Sequence, residues 1–135
     1  MATFNLQIIT LDEVFYNGQV EVLTLNGVDG DFQILPRHAD LIAVAMPDDI
    51  RFMTVEGERH AFISRSILRV MDGNATIIAD TAEWPEDIDI ERALEAEKRA
   101  KEQLRAKVSA GPDIAKAELA LLRAMGRKKT SKYKI

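Results

Sequence analysis

The periodicity of the chain changes once, at Trp84-Pro85, and that change limits it to a β body carrying a helical appendage. Before it, apolar residues alternate with polar ones in short runs: Phe4-Leu6-Ile8, Val20-Val22 with Leu23-Leu25 on the other face, Ile50-Phe52, Phe62, Leu68-Val70 and Ile77. Such alternation turns one face of each run toward a core and the other toward water, as in a strand. Asn17-Gly18, Asn26-Gly27, Asp29-Gly30, Pro47-Asp48, Glu56-Gly57 and Asp72-Gly73 punctuate the runs, each able to supply a positive or fixed φ for a tight turn. Many short strands between regular turns predict a sandwich or barrel.

Beyond Pro85 glycine becomes rare and Ala, Glu, Lys, Arg and Leu take over, the residues with the lowest cost in a helix. Asp87 or Asp89 is placed to cap a helix whose apolar stripe runs through Ile90, Ala93, Leu94, Ala100, Leu104 and Val108. Ser109-Ala110-Gly111-Pro112 stops it and starts another, predicted from about Asp113 to Gly126 or slightly beyond, with Ile114, Ala117, Leu121, Ala124 and Met125 as its apolar set. Residues 1–85 are thus expected to form a sandwich domain, and 86–135 an antiparallel helical hairpin with a basic tail. Much of the hairpin stripe is alanine, which buries little apolar area at roughly 25 cal/mol per Å². That spacing suits a detachable hairpin; a hairpin docked permanently on the sandwich is the alternative.

Charge is distributed unevenly. Residues 1–85 hold 13 acids and 5 arginines, net -8, whereas residues 122–135 hold 6 bases and no acid, within an overall charge of -4. A basic tail on an acidic body predicts an acidic protein partner, or else a solvated end. Nucleic acid is disfavoured, because beside Arg127, Lys128, Lys129, Lys132 and Lys134 only Tyr133 offers a ring for stacking. The alternating start MATFNLQIIT lacks the continuous apolar core of a secretory signal, and no run approaches the roughly 20 apolar residues of a membrane span. Membrane association is expected to be peripheral.

Reaction chemistry is not evident. The chain has no cysteine, so thiolate catalysis, thiolate metal sites and disulfides are excluded. His38 and His60 are isolated from one another and from any ligand spacing, and neither a phosphate-cradling G-x-x-x-x-G-K-S/T loop nor a G-x-S-x-G turn occurs. No catalytic or metal-binding residue is assigned. Two constellations remain. In 30–38, Asp31, Arg37 and His38 are either plain corner residues or a display on one rim of the sandwich for a partner. In Ile88-Asp89-Ile90-Glu91-Arg92-Ala93, Asp89 and Arg92 are either a cap with a local ion pair or, with Arg99, Arg123 and Arg127, part of a guanidinium cluster for a triphosphate.

These residues, in this order, carry a resemblance. Val14-Phe15-Tyr16-Asn17-Gly18-Gln19-Val20-Glu21, the stretch Gly30 to His38, Ala79-Asp80-Thr81-Ala82-Glu83 followed by Ile88-Asp89-x-x-Arg92-Ala93, and Ala117-Glu118-Leu119-Ala120-Leu121 with Arg123-Ala124 together resemble the epsilon subunit of bacterial F-type ATP synthases over the whole length. The signature departs at Gln33 and at Arg65-Ser66, where glycines are common, and Lys116 stands where ATP-responsive members carry arginine.

The resemblance implies an α+β chain: a ten-stranded antiparallel sandwich of two five-stranded sheets, then the hairpin. It implies a non-catalytic rotor subunit on the cytoplasmic face of a bacterial plasma membrane, bound to the gamma subunit and c-ring. The hairpin is expected to inhibit hydrolysis by extending into the alpha/beta hexamer. No cofactor is required, and ATP is the expected regulatory ligand, at Glu83, Ile88, Asp89, Arg92, Ala93, Arg99, Arg123 and Arg127. Asp31 and His38 are expected at the c-ring end, and Arg123, Arg127, Lys128 and Lys129 against the hexamer. A free-standing nucleotide sensor of the same build is the alternative, with an enzyme third.

Overall fold

The computed structural model describes residues 2–27, 30–106 and 112–134. Ten strands precede two helices. They are β1 (Phe4–Ile9), β2 (Val14–Val20), β3 (Val22–Gly27), β4 (Gly30–Ile34), β5 (Leu41–Ala45), β6 (Asp48–Thr54), β7 (Gly57–Ile63), β8 (Ser66–Met71), β9 (Asn74–Ala79) and β10 (Ala82–Glu83). A single 3-10 turn at Pro85–Asp87 leads to α1 (Ile90–Ala106) and α2 (Pro112–Ser131).

The strands form two groups of five, β10-β7-β6-β3-β4 and β5-β8-β9-β1-β2, joined edge to edge among the described residues where Gly27 pairs with Ala45. Every pairing is antiparallel except that of β1 with β9, which is parallel. The inward residues of both groups make one core, with Leu6, Ile8, Leu23, Leu25, Phe52, Leu68 and Ile77 sealed from water. Around its edge Trp84 stacks on Phe15, ring centroids 4.2 Å apart, and receives the guanidinium of Arg59 on its face at 4.0 Å.

Asp72 and Gly73 both take positive φ, 52° and 78°, and close the two-residue loop between Met71 and Asn74 as expected of a type I′ hairpin. Asn17-Gly18 does not turn: both lie inside β2, opposite Gln7 and Leu6. Glycine stands there because the Tyr16 side chain fills the slot, and a Cβ would come within 2.7 Å of its hydroxyl. The expected Asp29 turn position, the Ser109–Gly111 helix stop and Val108 lie outside the described residues.

In the hairpin the expected alanines meet, while the longer residues of the expected stripes are less buried. Ala93, Ala100, Ala117 and Ala124 are buried, whereas Leu94 and Met125 are exposed, and Ile90, Leu104, Ile114 and Leu121 are half-buried. Small contact residues bring the helix axes close and push longer side chains to the flanks. Glu97 is buried with them, facing Lys128 and Lys101.

α2 also runs past the predicted end at Gly126 to Ser131, because it lies over β6 and β7. There Gly126 meets the ring of Phe62 and the backbone of Asp48. Phe62 is buried on the side of β7 away from the main core, beneath α2. No residue of α1 or α2 belongs to the main core.

This seat predicts an inverted helix-propensity effect. Alanine in place of glycine favours a helix by about 1 kcal/mol. At Gly126 the added Cβ would lie 2.9 Å from Phe62 Cε1 and 3.0 Å from Asp48 Cα. Gly126→Ala is therefore expected to weaken hairpin docking by about 1–3 kcal/mol. Amide exchange should accelerate in α2 and stay slow in the sandwich strands; slower exchange in α2 would refute the close-contact account.

Candidate functional site

An open cleft of about 490 Å³ lies between α1, α2 and the junction that follows β10. Its α1 wall begins at Asp89, whose Oδ1 accepts from the backbone N–H of Arg92 at 3.1 Å and so caps the helix. Arg92, Ala96 and Arg99 recur at helical spacing along that wall, and Ala120, Arg123, Ala124 and Arg127 line the facing one. The alanines leave room between the helices, and the arginines border it.

Four guanidiniums share the cleft with the carboxylates of Glu83, Asp87 and Asp89. Arg127 is committed: its Nε donates to Glu83 Oε1 at 2.6 Å, and its guanidinium lies over the Phe62 ring, 4.6 Å from the centroid. Among the described residues, Arg92, Arg99 and Arg123 form no ion pair. The local Asp89–Arg92 ion pair is absent, although the cap is present. Planar forks without a protein carboxylate, drawn from two helices, suit an anion with several oxygens such as a phosphate chain.

Of the eight residues expected at a nucleotide, the structure brings seven to this cleft: Glu83, Asp89, Arg92, Ala93, Arg99, Arg123 and Arg127. The side chain of Ile88 is instead buried, and its carbonyl accepts from Lys134 Nζ at 2.8 Å. Lys116 is exposed and does not line the cleft. Asp87, Ala96, Ala120 and Ala124 were missed, although the helical spacing of the arginines marks Ala96 and Ala120.

The residues expected to face partners separate. Asp31 lines a cleft with Asp48, Asp49, Arg51, Lys132 and Tyr133 near the end of α2. Arg37 and His38 line another, beside Asp40 and the β8–β9 turn, where His38 Nδ1 donates to the carbonyl of Ala39 at 2.7 Å. Asp31 thus lines a different cleft from Arg37 and His38. Lys128 and Lys129 point to acids of this same chain, Lys129 to Asp48 at 3.1 Å and Lys128 to Glu97 at 3.6 Å.

A second polar cluster, unread in the sequence, lies under the end of α2. Thr130, sealed from water, donates to Asp49 Oδ1 at 2.7 Å, and His60 stands between Asp49 and Glu58. Burial pushes the Asp49 carboxyl above its ordinary range, against the opposing effect of its bonds to His60 and Thr130. The pairing of β6 with β7 and the seating of α2 over them bring these residues together. Among the described residues, no group of three or more His, Cys, Asp or Glu is arranged to hold a metal ion.

A sandwich followed by a hairpin is the build of the delta and epsilon chains of ATP synthases, and both halves match in that order. The family model for the ATP synthase delta/epsilon chain β-sandwich domain matches residues 3–85, and that for the long α-helix domain matches residues 86–132. The ATP synthase epsilon chain of Clostridium novyi (strain NT) is 42% identical over 126 residues, which cover 93% of this chain and 95% of that one. That of Bordetella parapertussis (strain 12822 / ATCC BAA-587 / NCTC 13253) is 36% identical over 126 residues, covering 92% and 90%.

The fold recurs at TM-score 0.80 and 20% identity in the Euglena gracilis mitochondrial ATP synthase, over 99% of this chain and 83% of that one. It recurs at TM-score 0.60 and 14% identity in the Tetrahymena thermophila enzyme, over 96% and 97%. The chain belongs to the epsilon chain family of F-type ATP synthases, and it is a non-catalytic subunit.

The Glu83–Arg127 contact ties the sandwich end to α2. A double-mutant cycle of Glu83→Gln and Arg127→Gln, read by denaturant unfolding of the hairpin, is expected to give a coupling of about 1–3 kcal/mol. A coupling near zero would mean that the pair does not help seat the helix.

Proposed function

We propose that the chain is a central-stalk subunit that couples rotation between the membrane ring and the catalytic hexamer, and that its hairpin restrains ATP hydrolysis when it leaves the sandwich. The observation that carries this reading is the seat of the hairpin. It lies outside the main core and is held by Gly126 on Phe62 and by the pairs Arg127–Glu83 and Lys129–Asp48. Contacts of that kind separate without opening the sandwich.

The outer face of β5, β8 and β9 supports a stalk role. Val44, Ile67 and Ile78 lie side by side in register and are 53%, 48% and 52% exposed, with Ile42 at 72%. A contiguous apolar patch of this kind is normally covered. Its occupant in this reading is the gamma subunit, with the c-ring at one end of the sandwich. The solved structures that share the fold are described as OSCP/F1/c-ring and as central stalk/c-ring. Among the described residues no helix is long and apolar enough to cross a membrane. The proposed location is peripheral, on the cytoplasmic face of a bacterial plasma membrane through the complex.

Released from Glu83, Asp48 and Glu97, the cations Arg127, Lys129 and Lys128 become available to acidic surface of the alpha/beta hexamer. ATP is the proposed regulatory ligand of the guanidinium cleft. Because that cleft is built from both helices and Glu83, a nucleotide there favours the folded hairpin, and it acts only through that preference.

Two measurements test these statements separately. Ending the chain after Asp87 is expected to raise ATPase activity of the assembled complex severalfold, and unchanged activity would remove the inhibitory role. Calorimetry of the isolated chain is expected to show ATP binding that falls about tenfold or more in Arg92→Ala, the loss of one charge-assisted contact. Absence of heat with the wild-type chain would remove ATP, while co-purification with gamma would still separate a stalk subunit from a free-standing sensor.

A further inference from the structure

The end of α2 is fastened to the sandwich through a histidine whose two ring nitrogens both face carboxylates. His60 is 7% exposed; its Nδ1 lies 2.8 Å from Asp49 Oδ2 and its Nε2 2.7 Å from Glu58 Oε1. A neutral imidazole carries one N–H and one lone pair, so it can donate to only one of these oxygens. At the other nitrogen a lone pair would face a carboxylate at hydrogen-bond distance. With ionised carboxylates, only the doubly protonated ring satisfies both contacts.

The same ring carries the helix end. Tyr133 lies parallel to it, with centroids 3.4 Å apart and planes 4° apart, and a cation beneath an aromatic face is attracted to it. Asp49, held on one oxygen by His60, accepts on the other from Thr130. Two grips on the end of the hairpin, the Tyr133 stack and the Thr130 bond, therefore meet at one imidazole.

We propose that His60 is a proton-operated clasp. As an imidazolium it bridges Asp49 and Glu58 and holds the C-terminal end of α2 on the sandwich; loss of its proton releases that end.

Charged groups face the ring from several elements. Asp48, Asp49 and Arg51 stand on β6, Glu58 on β7 and Asp31 on β4, while Lys129, Lys132 and Tyr133 come from α2 and the residues after it. Four carboxylates thus stand beside three fixed cations, and the imidazolium balances them. Lys129 grips both oxygens of Asp48, and Arg127 pairs with Glu83, contacts that involve no imidazole. Those pairs leave the pH response to the clasp. Asp49, whose carboxyl burial raises while its bonds to His60 and Thr130 lower it, is the acceptor that the clasp uses in its ionised form.

The test is amide hydrogen exchange of the full-length isolated chain between about pH 5.5 and 8.5, corrected for intrinsic exchange rates. The opening constant of α2 is expected to rise with pH by up to about tenfold per unit, the limit for one proton, while β1 to β9 stay protected. In His60→Gln that dependence should disappear. Tyr133→Ala, at a half-exposed position outside the strands, should open α2 at low pH and flatten the slope. A flat wild-type profile, an unchanged slope in either variant, or equal loosening of the sandwich strands would overturn the clasp. The readout needs neither a nucleotide nor a partner subunit, so it stands apart from the proposed inhibitory role.

Discussion

Gly126 places the backbone of α2 directly against Phe62 and Asp48 on the outer face of β6 and β7, and the other hairpin contacts follow from that approach. Only at that distance does Arg127 meet both Glu83 and the Phe62 ring, does Lys129 reach Asp48, and does Thr130 reach Asp49. The guanidinium cleft depends on it too, since Glu83 becomes one of its walls when α2 is seated. Phe62 is the main hydrophobic side chain of the seat, and burying one such residue contributes about 1.5–3 kcal/mol.

In the proposed stalk role the charges of the chain have two mutually exclusive uses. A strongly acidic sandwich and a basic helix end attract one another within the same molecule, and Arg127, Lys128 and Lys129 are met by Glu83, Glu97 and Asp48. In the stalk reading, an acidic surface elsewhere competes for these cations. Exchange of one set of ion pairs for another changes the free energy little, because desolvation and pairing nearly cancel on both sides. A ligand, a proton or a partner of modest differential affinity can then decide the position of the hairpin.

Much of this architecture was legible from periodicity. The alternating runs at Phe4-Leu6-Ile8, Ile50-Phe52 and Leu68-Val70 became core strands, because period two fits a half-buried strand and nothing else at that length. Asn17-Gly18 was misread because glycine serves a tight turn and a close side-chain approach equally well, and Tyr16, two residues away, decided between them. The helix that covers Phe62 was not legible, because alternation tells which residues share a face of β7, not what lies against that face. Leu94 and Met125 were expected in the helix seam, but close packing of alanines left them outside it.

The arginine cleft was also partly legible, since i, i+4 and i+7 spacing puts Arg92, Ala96 and Arg99 on one helix face whatever else the chain does. Asp31 and His38, by contrast, are near in sequence and line different clefts, because the strand and turn between them carry the chain away. By itself the sequence determined two things: the place where strand gives way to helix, and the face each side chain occupies on its own element, since both follow from local backbone geometry. Tertiary structure alone decided which faces meet. The pairing of β6 with β7 and the docking of α2 over them join residues as far apart as Asp49, His60 and Tyr133, and no local spacing encodes a contact made by packing across that separation.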